Sequence, residues 1–359
     1  MVLLALFIAA ALPQPRVAFV RAGTLTILYT SKNTQVPVLE NAPVSPVGFS
    51  GNGKLVSAGG RLPGIRPLPT GALAWAPTGE TAAYQAKDGA VYAWSPTRKR
   101  RILAAAWGAT SLAWGSDGRL ALGRSVCHVP CGVPKHQEVW IWRAGRLSRV
   151  AGPLKGVQRP IVRGFAPDGR VLWWSDLQGS ASIAADGLPL YANRTKIAET
   201  LPYPDYVAAC GADLAISAGT DRYAMHGKRL LLNGHDLSRD RTRSWVEPAC
   251  SGDVLVAAAS KNTVPSRIGN EHRAIWQLLP HRRQLTYPPR GTTDESPRVL
   301  SDGSVLFVRT RSANTTLEVK GRGTLMLLRS GAVTRLAAVG TSENFYGHYD
   351  WARQIAVWP

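Results

Sequence analysis

Asp205, Glu247, Asp294, Glu295 and His348 are the residues of this chain whose types suit acid–base chemistry. With Arg159, Arg163, Tyr206, Trp245 and Tyr346 they make a set of ten polar and aromatic residues, each close upstream of a recurring phrase described below. Two carboxylates and an imidazole brought together could protonate a leaving group and activate water or abstract a proton, as a lyase or a glycan hydrolase requires. The same residue types also satisfy hydrogen bonds where strands begin, so sequence leaves both roles open. No Gly-x-Gly-x-x-Gly, P-loop, His-Glu-x-x-His or Gly-x-Ser-x-Gly motif occurs. The seven histidines (128, 136, 226, 235, 272, 281 and 348) have no spacing that argues for a shared site. No cofactor, metal or catalytic residue is therefore assigned.

The elements that must position this set are announced by a repeat. Phe49-Ser-Gly-Asn-Gly, Trp75-Ala-Pro-Thr-Gly, Trp114-Gly-Ser-Asp-Gly, Phe165-Ala-Pro-Asp-Gly and Val299-Leu-Ser-Asp-Gly each precede an apolar run, and degenerate copies stand at Ala209-Cys-Gly-Ala-Asp and Ala249-Cys-Ser-Gly-Asp. Asn-Gly and Asp-Gly tolerate the positive φ angles of tight turns, so each copy predicts a hairpin. Asp88, Asp117, Asp168 and Asp302 are read as turn residues rather than calcium ligands or acids. The tryptophans at 75, 114, 140, 142, 173 and 174 alternate with small residues and are assigned to packing rather than to ligand stacking.

Between Trp114 and Phe165 four strand signals succeed one another, and four strands per repeat make a propeller blade. The interval from Phe49 to Trp75 is too short for a full blade and marks a collapsed one. The C-terminal Tyr349–Trp358 reads as the opening of a blade whose outer strands are missing, and Arg16–Arg21, Thr24–Thr30 and Gln35–Leu39 can supply them. The expectation is an all-β chain: a single β-propeller over residues 16–359, with seven four-stranded blades (six and eight remain open) and termini sharing a blade. The candidate residues would then stand on loops entering the innermost strands, around the mouth of the central channel.

The phrases at Trp75-Ala-Pro-Thr-Gly79, Phe165-Ala-Pro-Asp-Gly169 and Glu295-Ser-Pro-Arg-Val-Leu-Ser-Asp-Gly303 resemble the repeats of TolB-like propellers, and the resemblance extends over nearly the whole chain. It implies a fold that elsewhere hosts envelope binding proteins, peptidase accessory domains and lyases, so function must come from the site.

Val2–Leu12 is an apolar stretch too short for a bilayer and of the length of a signal-peptide core, so residues 1–15 read as an export signal or an apolar first segment. Four cysteines fall into two candidate pairs, Cys127 with Cys131 and Cys210 with Cys250. Disulfides fit export; for the first pair a metal site with His128 and His136, or free thiols, stays open. A net charge of +20, with 33 Arg, suits polyanions or follows from an Arg-rich codon bias. The basic clusters are Arg98–Arg101, Arg239–Arg243 and Arg282-Arg283. The reading is an exported, monomeric, non-catalytic binding or scaffolding module of the cell envelope. Its partner is a protein, an anionic polymer or a lipid surface rather than nucleic acid, and it is not an integral membrane protein; the enzyme reading above is the alternative.

Overall fold

The computed structural model of the protein describes residues 15–71, 73–126, 136–154, 156–177, 187–238, 241–262, 272–311 and 319–358. Seven antiparallel sheets of four or more strands follow one another around a ring, a seven-bladed propeller. Blade 1 holds Arg16–Arg21, Thr24–Tyr29 and Thr34–Leu39, and its innermost strand is Ile355–Trp358 from the other end of the chain. Arg16 faces Trp358 and Phe19 faces Ile355 in this closing register, which leaves the first strand of the chain no free edge. Blades 2 to 7 open on the innermost strands Ala74–Trp75, Ala109–Trp114, Val157–Phe165, Val207–Cys210, Arg243–Ser251 and Thr292–Val299.

The short first repeat is a two-stranded hairpin, Val47–Phe49 with Val56–Ala58, set between blades 1 and 2. It belongs to the ring because it packs on both neighbours: its Phe49 sits against Arg16, and Gly51 lies so close to Pro77 that a methyl group there would meet backbone at 2.3 Å.

Turn chemistry accounts for the repeated acids. Asp88, Asp117, Asp168 and Asp302 each accept a backbone N–H from two residues on, at 3.0 to 3.2 Å, while the glycines after them have φ between 77° and 88°. Asp117, Asp168 and Asp302 also pair with Arg119, Arg170 and Arg329. The tryptophans fill the seams between blades. Within blade 3 Trp114 meets Trp142 edge-on at 6.3 Å, and within blade 4 Trp173 stacks on Tyr191 at 4.6 Å, each pair packed in a cluster with the preceding blade. Each such pair adds roughly 0.5–1.5 kcal/mol beyond its burial.

Cys210 and Cys250 close a disulfide between the innermost strands of blades 5 and 6, with Cα atoms 5.5 Å apart. Cys127 and Cys131, the greater part of the apolar N-terminal segment, and Arg239 lie outside the described residues. No helix among the described residues is long and apolar enough to cross a membrane.

Candidate functional site

The strands of each blade alternate in direction, so the Asp117-Gly118, Asp168-Gly169 and Asp302-Gly303 turns, between first and second strands, lie on one face of the ring, and the entries to the innermost strands, with the Asp88-Gly89 turn, on the other. That second face is divided into a closed half over blades 5 to 7 and an open half over blades 2 to 4. The closure comes from blade 7, whose third and fourth strands, Val319–Arg329 and Ala332–Phe345, are the longest in the chain. The chain leaves them by the Tyr346-Gly347 turn, pairs His348-Tyr349 back onto Phe345 and Asn344, and makes one helical turn, Trp351–Gln354, before the closing strand. Local bonds fix this segment. Ser342 Oγ accepts from Asp350 N at 2.9 Å and Gln354 Nε2 at 3.2 Å, and Trp351 Nε1 donates to Thr310 Oγ1 at 3.0 Å.

Beneath it lies a buried polar cluster. Arg273, 1% exposed, donates through Nη2 to Glu295 Oε1 and to the Gly347 carbonyl, both at 2.7 Å, through Nη1 to Glu247 Oε1 at 3.3 Å, and through Nε to Thr293 Oγ1 at 3.2 Å. Glu247 Oε2 accepts the Ser296 N–H at 2.7 Å, and Ser296 Oγ donates to Asp205 Oδ2 at 3.3 Å. Glu247 and Ser296 have φ of 58° and 48° at bulges of their strands, each just before a proline. This backbone is costly for non-glycine residues, and here it aims Glu247 at the strand beside it.

Burial governs the protonation of the cluster. It pushes the Glu247 carboxyl up to about 7, against the pull of Arg273 and with help from Asp205, and it raises Asp205 against Arg298 and Arg163. Asp350, in the covering segment, is pushed up to about 6, mainly by burial. His348 is held well below its ordinary value by burial and by the charges of Lys228 and Arg273. Its Nε2 lies 3.0 Å from the Arg222 carbonyl, which can only accept, so Nε2 carries the proton and Tyr206 donates its hydroxyl to Nδ1 at 2.8 Å. Tyr203 stacks on the imidazole at 4.2 Å.

Asp205, Tyr206, Glu247, Glu295 and His348 are thus brought into one cluster, and the other candidates are placed elsewhere. Asp294 takes a two-pronged pair from Arg309 at 2.7 and 2.9 Å. Trp245, fully buried, turns into the seam between blades 5 and 6 against Trp276 and Arg282, because it stands two residues before the bulge and faces the neighbouring blade. Arg159 lies half-exposed on Asp176, and Arg163 binds the Pro204 and Val207 carbonyls, tying blade 4 to blade 5. Tyr346 packs on Tyr223 and under Arg222. Sequence reasoning missed Arg273, the hub. The one hint was an arginine immediately before a largely apolar strand, Ala274–Leu279.

The open half holds a cavity of about 770 Å³. Its polar lining is Ser45, Thr70, Gln85, Thr110, Ser111 and Arg353; Pro46, Leu73, Leu112 and Val162 supply apolar surface, and no carboxylate is among its lining residues. Ser111 Oγ donates to the Pro160 carbonyl and accepts from Val162 N, both at 2.9 Å, and Gln85 Nε2 donates to the Ala109 carbonyl at 2.7 Å. These bonds preform the floor and leave the Gln85 carbonyl facing the cavity, while the half-exposed Arg353 guanidinium stands 3.9 Å from Asp350 at its rim. Among the described residues no three His, Cys, Asp or Glu side chains gather as a metal site would require.

No family model and no curated protein matches this sequence. Solved structures do match, and what they share with the chain is the propeller fold. An acylaminoacyl peptidase from Pyrococcus horikoshii aligns over 88% of this chain and 48% of its own, with 10% identity and a TM-score of 0.46. The β-propeller domain of the Trilobed protease from Pyrococcus furiosus aligns over 91% and 95%, with 11% identity and a TM-score of 0.45. TolB from Acinetobacter baumannii aligns over 96% and 66%, with 14% identity and a TM-score of 0.37. The chain spans about half the length of the peptidases it resembles.

Proposed function

We propose that the protein is an exported, non-catalytic propeller that binds a protein partner at the open half of its channel mouth and serves as a binding or scaffolding module of the cell envelope. The cavity over blades 2 to 4 carries this reading. It is concave, preformed and of mixed apolar and hydroxyl-amide character, with the half-exposed Arg353–Asp350 pair at its rim, which suits a segment of polypeptide making backbone and mixed polar contacts. The rival acid–base reading has less support. Asp205, Glu247, Glu295 and His348 lie under the covering segment, bonded to Ser296, Arg273, Tyr206 and the Arg222 carbonyl, and Asp294 is committed to Arg309. Export is supported by the Cys210–Cys250 disulfide, a bond that persists in oxidising compartments.

The test is isolation of complexes from the native host with the wild type, with Gln85→Trp, which fills the cavity, and with Thr97→Trp on the opposite face. A stoichiometric partner retained by the wild type and by Thr97→Trp but lost with Gln85→Trp is expected. Retention by Gln85→Trp would overturn the assignment, as would turnover of glycans or peptides by the purified protein.

A further inference from the structure

We propose that the outer wall of blades 2 to 4 is a docking surface for a linear, phosphate-bearing polyanion, separate from the channel mouth. The outermost strand of blade 2, Arg98–Leu103, presents Arg98, Lys99, Arg100 and Arg101 to solvent. In blade 3 the last two strands, His136–Arg143 and Arg146–Leu154, place Arg143 directly opposite Arg146 across the hairpin. Like charges in that position repel, so an anion between them relieves a cost built into the sheet. In blade 4 Arg194 stands at the corresponding hairpin.

The three sets form one arc. Arg100 extends its guanidinium to Gly145 of blade 3, and Arg194 donates back to the Val150 carbonyl at 3.0 Å. The acids paired with the arc are Glu138, with Arg149, and Glu199, with Lys196. Among the described residues Arg98, Arg100, Arg101, Arg143 and Arg146 have no acid within ion-pair distance. By contrast Arg119, Arg170 and Arg329 are each neutralised by the Asp of their own blade's Asp-Gly turn.

Guanidinium groups bind phosphate in a two-pronged fashion, and alternate residues of a strand repeat every ~7 Å, so the arc offers a row of such sites to a chain laid across it. A polymer fits better than a bilayer. The wall is convex, and among the described residues Leu147 is the one large apolar side chain exposed in the arc, which gives a membrane little to bury. The plain alternative is that basic outer strands only prevent edge-to-edge pairing.

The experiment titrates the full chain with long-chain inorganic polyphosphate over a range of salt, and in parallel with mixed phosphatidylglycerol and phosphatidylcholine vesicles. Arg98→Gln/Arg100→Gln/Arg146→Gln is compared with Lys320→Gln/Arg322→Gln/Arg335→Gln, which removes the same charge from exposed positions of blade 7. The proposal expects the first variant to bind polyphosphate at least ~10-fold more weakly, with the slope of log affinity on log salt reduced by about 2, and the second to stay within ~3-fold of wild type. Equal weakening of both would reduce the effect to net charge and overturn the proposal. So would vesicle binding without polyphosphate binding, or aggregation of the first variant with its affinity unchanged. All six positions are exposed, and an unchanged thermal midpoint verifies that each variant folds.

Discussion

Replacing Glu247 by Gln probes the buried cluster through its dependence on pH. The Glu247 carboxyl titrates near 4.5 in the unfolded chain and near 7 in the folded one. The folded state therefore binds the extra proton between these values, and stability falls as pH rises through the window. With those two values, Glu247 contributes about 2–3 kcal/mol less to stability at pH 8 than at pH 5. Gln keeps a carbonyl for the Ser296 N–H but cannot ionise. At pH 5 the folded Glu247 carries its proton, so the variant, neutral and of the same shape, should differ little from the wild type. By pH 8 the wild type, whose carboxyl must ionise in its buried site, should be the less stable protein by about 2–3 kcal/mol. His348 acts in the opposite sense: its depressed value gives stability that is present above pH 6.5 and lost as pH falls. That contribution is common to both proteins and cancels in the difference. Urea unfolding of the pair at pH 5 and pH 8, with unchanged slopes on denaturant, measures the quantity. A wild-type advantage that is constant, or that grows toward pH 8, would refute the reasoning.

Three further perturbations follow from the same structure. Reducing the Cys210–Cys250 bond, which spans 40 residues, should lower stability by about 4 kcal/mol, read from urea midpoints with and without reductant; superimposable curves would contradict it. Arg309→Met leaves Asp294 buried and unpaired and should cost about 3–5 kcal/mol, whereas the double variant with Asp294→Leu should regain most of it in a thermal melt. Gly123→Ala drives a methyl group to within 2.7 Å of Ser111, Pro160 and Thr110, so it should destabilise by roughly 1–3 kcal/mol and loosen amide exchange at the cavity floor between blades 3 and 4.

What the sequence makes legible here is what local chemistry dictates. Asp117-Gly118 and Asp168-Gly169 announce turns because their backbone requirement is local, the spacing of Phe49 and Trp75 shows that a blade has shrunk, and the apolar run at Ile355–Trp358 shows which strands close the ring. The site was legible only as a set of residues near strand entries. Its division into a covered and an open half depends on blade 7, where Val319–Phe345 reads as ordinary alternating strand and gives no sign that its far end folds over the mouth. Arg273 meets Gly347 across 74 residues and Tyr206 meets His348 across 142, and neither partner carries a mark of the other. The open cavity escaped notice for a related reason: Thr70, Gln85, Thr110 and Ser111 are residue types that occur on any strand, and only their convergence distinguishes them.

The central claim is that a protein partner enters the open half of the mouth. Photo-crosslinkers placed singly at positions 85 and 353 in the cavity, and at 97 on the turn face, test it most directly in the native host. Discrete adducts to one protein from 85 and 353, with none from 97, are predicted; adducts from 97 with none from the cavity positions would contradict the account.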